Sequence, residues 1–299
     1  MLKQRVITAI VLLLILIGAY CLGPVAFAGV MAIAFALAQW EWLKLAGLSS
    51  PVSALLALIV SGSTALLTFV AYQDLQMINQ ISAEYQMLYA NLSSLFVMYL
   101  GVVSLLWVGI SIRVFFARMT GLPVNRVVVG VTGVFFPPAA WLGFVAMYAS
   151  FGITMVISLL AIVWVADIMA YFTGMAFGKH RMCPAISPKK SWEGVAGGML
   201  SVIILGLVFA FFVPDMKTIP GVLTESMGAF VWVVVAFILV SLSIVGDLFE
   251  SALKRQAGIK DSSNLLPGHG GFYDRLDAMM PTLPVGFLLT VLVASGTIG

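Results

Sequence analysis

Asp247, Glu250, Ser251 and Lys254 follow one another at helical offsets of three, four and seven from the first of them, so all four can share one helix face. Further along, YDRLD sets Asp274 and Asp277 three apart, and these two carboxylates can also point one way if the stretch is helical. Hard carboxylate oxygens suit Mg²⁺, which keeps several waters and takes one or two carboxylates together with substrate phosphates. Asp247 and Asp274 are the preferred metal ligands on this reading. Between the two acidic pairs come Lys254, Arg255, Lys260 and the turn PGHGG, whose Gly268, Gly270 and Gly271 permit positive φ and close approach of backbone to a ligand. The combination suits a metal-bound polyphosphate. His269 in that turn has three open roles: hydrogen bonding to a phosphate, acid chemistry, or stabilising the turn.

Two further groups belong with these. The stretch GKHRMCPAISPKKSWEG gathers Lys179, His180, Arg181, Lys189 and Lys190, with a turn at Ser187-Pro188 and a helix start expected at Ser191 with Glu193. Lysines beside a helix N-terminus can converge with backbone N–H groups on one anion. Asp167 lies within an apolar segment, roughly 12 Å from its inner end at 1.5 Å per helical residue. A carboxylate in lipid is costly, so it is expected to face a polar cavity or a partner.

Other chemistries find little support. There is no G-x-x-x-x-G-K-[ST] loop, no G-x-S-x-G nucleophile motif, and no second His or Cys near His269 to build a zinc site. The pattern D-x-x-D-G-x-x-A-R of the CDP-alcohol phosphotransferases is also absent.

The elements that must position these residues are membrane helices. Hydrophobic residues make up 62% of the chain and charged ones 9%, a composition of polytopic membrane proteins rather than soluble domains. About 20 apolar residues cross a hydrocarbon core roughly 30 Å thick. Nine segments qualify, at 6 to 22, 24 to 40, 52 to 73, 92 to 112, 127 to 148, 152 to 176, 195 to 213, 227 to 247 and 279 to 298. The expected fold is therefore an all-α, polytopic integral-membrane helix bundle with about nine transmembrane helices. No small-x-small cleavage site follows the first segment, so it reads as a retained helix.

With the N-terminus cytoplasmic, fourteen of the fifteen Lys and Arg residues fall inside and only Lys217 outside, as the positive-inside rule requires. Localisation in the cell (cytoplasmic) membrane, multi-pass, with a cytoplasmic site follows. The net charge of +3 suits anionic headgroups. Without a basic, aromatic-interleaved run, no nucleic-acid polymer is expected as a partner. Cys21 and Cys183 fall on opposite sides and should not pair.

Polar residues divide the chain. Residues 1–125 read as an N-terminal scaffold of about four helices, with an outer loop at 74–91 lacking Lys and Arg. Residues 126–299 read as the catalytic region, with cytoplasmic loops 178–193 and 248–278. Pro137-Pro138 should kink or break the fifth span, and Gly197-Gly198 suits close helix packing.

The run Ser251 to Asp277 (SALKRQAGIKDSSNLLPGHGGFYDRLD) resembles the signature of the phosphatidate cytidylyltransferases, also called CDP-diacylglycerol synthases. Ser251, Lys254-Arg255, Lys260-Asp261, Pro267 to Gly271, Asp274-Arg275 and Asp277 keep that family's spacing. Gly246-Asp247-Leu248, Asp167 to Gly178 and SPKKSWEG from Ser187 are similar too, although Ile168-Met169 stand where the family has small residues. Residues 1–125 match only in being hydrophobic.

The resemblance implies a Mg²⁺-dependent reaction, with room for a second cation, in which CTP and phosphatidic acid at the lipid bilayer give CDP-diacylglycerol and pyrophosphate for phospholipid biosynthesis. It assigns Asp247, Asp274, Lys254, Arg275 and Asp277 to catalysis, the first two as metal ligands. Ser187, Lys189, Lys190, Ser191, Arg255, Lys260, His269, Gly270 and Asp167 go to substrate binding. It alone implies a homodimer. The competing expectations are another CTP-dependent lipid enzyme, such as a prenol-type kinase or an ether-lipid cytidylyltransferase, and an ion-coupled transporter.

Overall fold

A computed structural model describes residues 2–77 and 83–296, with side chains for residues 4, 6–69 and 94–293. In lipid the backbone must satisfy its own polar groups, and the apolar runs do so as helices. The described residues form α1 (Leu2–Leu22), α2 (Pro24–Leu45), α3 (Ser50–Met77), α4 (Ala83–Ala117), α5 (Arg126–Phe151), α6 (Ile153–Phe177), α7 (Trp192–Phe212), α8 (Ile219–Met227), α9 (Ala229–Ala257), α10 (Tyr273–Leu276) and α11 (Met279–Gly296). A short antiparallel hairpin, β1 (Arg181–Cys183) and β2 (Ser187–Ser191), stands between α6 and α7.

Among the described residues, eight segments are long and apolar enough to cross a membrane: Pro24–Leu45, Ser50–Phe69, Ser94–Ala117, Arg126–Phe151, Ile153–Phe177, Trp192–Phe212, Ala229–Ala257 and Tyr273–Val293. A shorter apolar helix, Val6–Leu22, precedes them. The protein is thus an all-α polytopic bundle, and each of the nine expected segments has a helix. The expected outer loop 74–91 is largely helix: α3 runs to Met77 and α4 starts at Ala83, while residues 78–82 lie outside the described residues, as do the side chains of Lys3 and Arg5. Cys21 and Cys183 are both free.

The chain forms two compact units. The first comprises Met1–Val103, Val124–Trp141 and Ala257–Leu276. Its core centres on α2, where Trp42 is fully buried, donates from Nε1 to the Val129 carbonyl at 3.1 Å, and stacks on Tyr273 with ring centroids 4.6 Å apart. Helix α5 runs unbroken through Pro137-Pro138. A proline lacks the N–H that would bond the carbonyl four residues back, so these two leave the Gly133 and Val134 carbonyls without their helical donors. Buried Gln39 of α2 takes both: its Nε2 donates to each at 3.1 Å, while its Oε1 accepts from Ser61 Oγ at 2.7 Å.

The second unit comprises Ser104–Pro123, Leu142–Gln256 and Asp277–Gly299. Small residues let its backbones touch. A Cβ on Gly198 would lie 2.6 Å from the Ala166 carbonyl oxygen and one on Gly197 2.3 Å from Thr173, so these glycines serve the close packing of α7 on α6. A Cβ on Gly246 of α9 would lie 2.3 Å from the Asp277 carbonyl oxygen, which draws the polar end of α9 against the start of the last segment. Helix α8 was not foreseen, because nine residues are too few for a span; it begins with Thr218 Oγ1 accepting from the Gly221 N–H at 3.2 Å.

Candidate active site

In the second unit, α9 stays helical past its apolar stretch to Ala257, so the expected common face forms. Ser251 Oγ donates to Asp247 Oδ1 at 3.2 Å, and Lys254 Nζ sits 2.6 Å from Glu250 Oε2. Asp277 joins from the chain just beyond α10: carboxylate oxygens of Asp247, Glu250 and Asp277 all lie within 4.8 Å of one another. Asp277 also accepts from the Ala278 N–H through Oδ1 at 2.7 Å.

The hairpin supplies the facing cation. Strand alternation turns Lys189 outward and Lys190 inward, and Lys190 Nζ reaches Asp247 Oδ2 at 2.7 Å. Burial pulls the Lys190 pKa down, but the charge and hydrogen bond of Asp247 outweigh it, helped by Asp167 and Asp277, so the ammonium is held above its ordinary value. Asp167 itself lies within electrostatic range of Lys190 and Asp247.

Ser191 caps α7, its Oγ accepting from the Gly194 N–H at 3.2 Å, as its position led one to expect. Glu193 does not complete a capping box. It accepts from the His180 N–H at 3.2 Å and pairs with His180 Nδ1 at 2.6 Å, closing the base of the hairpin.

Three crowded carboxylates against two ammonium groups could hold a metal ion, and an all-oxygen donor set suits a hard cation.

In the first unit, residues 258–272 form a loop closed by two carboxylates. Asp274 Oδ2 accepts from the Ser262 N–H and Oγ, both at 2.9 Å, and from the Gly271 N–H at 2.7 Å. Glu41 of α2, wholly buried, accepts from Ser262 Oγ, Ser263 Oγ, the Phe272 N–H and the Tyr273 N–H. The turn between is pinned by Leu266 N–H to the Gly270 carbonyl and His269 N–H to the Leu266 carbonyl, each at 2.8 Å.

The glycines here make room for protein carboxylates. A Cβ on Gly271 would lie 2.4 Å from Glu41 Oε1, and one on Gly270, where φ is +84°, 2.5 Å from Asp274 Oδ2. Arg275 donates twice to the His269 carbonyl, at 3.0 and 2.8 Å. The His269 backbone therefore stabilises the turn, while its Nδ1 is buried without a hydrogen-bond partner among the described residues.

A profile of the family described as the cytidylyltransferase family matches residues 3–293. The chain belongs to the cytidylyltransferase family. It is 34% identical over 287 residues to the phosphatidate cytidylyltransferase of Pseudomonas aeruginosa, a match covering 95% of each chain. To the protein of that name from Haemophilus influenzae it is 42% identical over 44% of each chain, and to that from Thermotoga maritima 39% identical over 49% of this chain and 52% of the other.

For a cytidylyltransferase the arrangement regroups the expected residues. Asp247, Lys190, Lys254 and Asp277 come together in the second unit, with Ser187 and Ser191 at the two ends of the strand that carries Lys190. Asp274 and Asp277 do not act as a facing pair. Helix α10 is four residues long and ends at Leu276, so Asp274 bonds back into the loop while Asp277 meets α9. Arg255, Lys260 and Arg275 are exposed, as is Lys189.

Glu250 enters the acidic cluster through its place on the α9 face. Glu41 was missed. Ending the second span at residue 40 left it as an ordinary flanking charge, whereas α2 continues to Leu45 and buries it.

Proposed function

We propose that this cytidylyltransferase transfers the cytidylyl group of CTP to phosphatidate, giving CDP-diacylglycerol and pyrophosphate. The cluster of Asp247, Glu250 and Asp277 faced by Lys190 and Lys254 carries the reading, because it joins a cation-binding carboxylate set to an ammonium group, that of Lys190, that can turn to phosphate.

A phosphatidate phosphate oxygen attacks the α-phosphorus of CTP, a new P–O bond forms, and the bond from that phosphorus to the bridging oxygen breaks, releasing pyrophosphate. The attacking oxygen is already ionised, so alignment and charge neutralisation are the enzyme's main tasks. Asp247 with Asp277 and Glu250 would hold Mg²⁺, and the signature resemblance also assigns a metal-ligand role to Asp274. Bound there, the ion would neutralise triphosphate charge and stabilise the leaving pyrophosphate.

Lys190 would exchange carboxylate for phosphate oxygens, and Lys189, Arg255, Lys260 and Arg275, all exposed, would gather the remaining charge. Ser187 and Ser191 hold the lysine-bearing strand at the start of α7, where the backbone also favours an anion. The His269 ring would bond a phosphate, Gly270 keeps the turn tight, and Asp167 adds to Asp247 in keeping Lys190 charged. With the N-terminus cytoplasmic, this chemistry meets soluble CTP at the inner membrane face while the acyl chains remain in the bilayer.

The test is pyrophosphate release by purified protein in detergent micelles with CTP, Mg²⁺ and phosphatidate, each omitted in turn. Release that requires all three, with CDP-diacylglycerol as co-product, is the expected result. Release of CDP instead would make the protein a lipid kinase, and absence of turnover in folded protein would remove the assignment.

A further inference from the structure

We infer that Glu41 is a positioning residue for the signature loop: from a helix distant in sequence it staples the two ends of the segment Ser262–Tyr273. The inference rests on the proposed reading that this loop handles phosphate. A carboxylate only accepts hydrogen bonds, and Glu41 is met by donor groups from both ends of the segment: the Phe272 and Tyr273 N–H groups, Ser263 Oγ, and Ser262 Oγ, whose one proton is shared with Asp274 Oδ2. Oε2 takes Ser262 Oγ at 3.0 Å and the Tyr273 N–H at 2.6 Å; Oε1 takes Ser263 Oγ and the Phe272 N–H, the latter at 3.2 Å.

Those partners bracket the turn that carries His269, and Arg275 follows two residues after the second end. Glutamine does not reproduce this geometry. Gln at position 41 has nearly the same volume but one acceptor oxygen, and its NH₂ would face donors. Gly271 would collide with the staple if it carried a Cβ, at 2.4 and 2.5 Å from the two Glu41 oxygens and 2.2 Å from Ser262 Oγ. Tyr273 stacked on Trp42 fixes the same end from the neighbouring position. The loop thus acquires its shape before any ligand arrives, which removes an ordering cost from binding.

The test compares wild type, Glu41→Gln and Glu41→Asp in the full-length protein in micelles, by amide exchange without substrate and by kcat and KM for CTP. In Glu41→Gln, exchange across residues 262–273 should accelerate at least tenfold while α2 and α5 stay protected, and KM for CTP should rise at least tenfold. Glu41→Asp, which keeps the charge, should recover part of both. Unchanged exchange in the loop, or faster exchange with an unaltered KM, would overturn the inference, and so would loss of protection spread equally over α2 and α5.

If Glu41→Gln does not fold, Ser263→Ala removes a single donor and is read by the same two criteria at a smaller effect, about two- to fivefold. A wild type that turns over no CTP defeats the proposed reaction and with it the KM arm. The exchange comparison then decides alone whether Glu41 shapes the loop.

Discussion

Two sets of buried or half-buried carboxylates in this protein are satisfied in opposite ways. Glu41 and Asp274 of the first unit receive backbone N–H groups and serine hydroxyls, donors fixed to the chain. Asp247 and Glu250 of the second unit receive the ammonium groups of Lys190 and Lys254, which ride on long stems; Glu250 is itself 1% exposed, so it is the Lys190–Asp247 pair that can open. Burying a carboxylate costs several kcal/mol, and hydrogen bonds to a charged group return about 1.5–3 kcal/mol each, so two backbone N–H groups and the Ser263 hydroxyl, with a share of the Ser262 proton, suffice to offset the burial of Glu41. The Lys190–Asp247 pair is partly exposed, with side chains 22% and 32% accessible, and opening it is correspondingly cheap. Fixed donors build a framework; an exchangeable cation marks the place where a metal and a phosphate can enter.

The largest effects should fall on Asp247 and Asp274, one from each set. Asp247→Asn should lower turnover more than tenfold while membrane insertion and the loop's amide protection remain intact. Asp274→Asn should also cost more than tenfold, but with faster exchange at Ser262 and Gly271, whose N–H groups it holds. Identical exchange patterns in the two variants would abolish the distinction between the sets.

Next in size is Lys190→Gln. It removes the cation now paired with Asp247, so turnover should fall roughly fivefold while Mg²⁺ binding, followed by calorimetry, tightens. Weaker Mg²⁺ binding would mean that Lys190 does not compete for that carboxylate. The direction of its pKa shift adds a sign: a lysine held above its ordinary value loses its charge only as pH rises through that raised value. Lys190 therefore remains an ammonium throughout the neutral range, and a decline in rate between about pH 7 and 9 would have to come from another group.

How much of this could be read from residues alone depended on sequence distance. The α9 face was legible because Asp247, Glu250, Ser251 and Lys254 lie within two helical turns, and helical spacing alone orders them. The hairpin was not, since strands of three and five residues show too little alternation to separate them from a loop. The direction of Asp277 was hidden by the early end of α10 at Leu276, which a helical spacing continued through YDRLD does not show. Glu41 was hidden most thoroughly, because its donors come from 221 to 232 residues further along. A glutamate in a predominantly apolar helix was the one local sign of it.

Pro137-Pro138 misled for the same reason as Glu41: the compensation is remote. Gln39 supplies donors to the two carbonyls the prolines leave without partners, across 94 and 95 residues of sequence. Gln39→Leu keeps the approximate volume and removes those donors, so it should destabilise by about 1–3 kcal/mol, seen as a lower unfolding midpoint, with kcat unchanged in the folded fraction. An equal loss of kcat would tie α5 to the chemistry.

Lys217→Gln marks the small end of the scale and tests the topology. Lys217 lies between α7 and α8, exposed, and makes no ion pair among the described residues. Neither set of carboxylates uses it, and it is the one cation that the positive-inside rule assigns to the outer face. Turnover and KM for CTP should stay within twofold of wild type, and a cysteine placed at 217 should react with an impermeant thiol reagent added outside intact cells. Labelling only after the membrane is opened would reverse the orientation. It would also move the Lys190–Asp247 cluster to the face away from soluble CTP, so this smallest substitution bears on whether the proposed reaction can occur where its nucleotide is found.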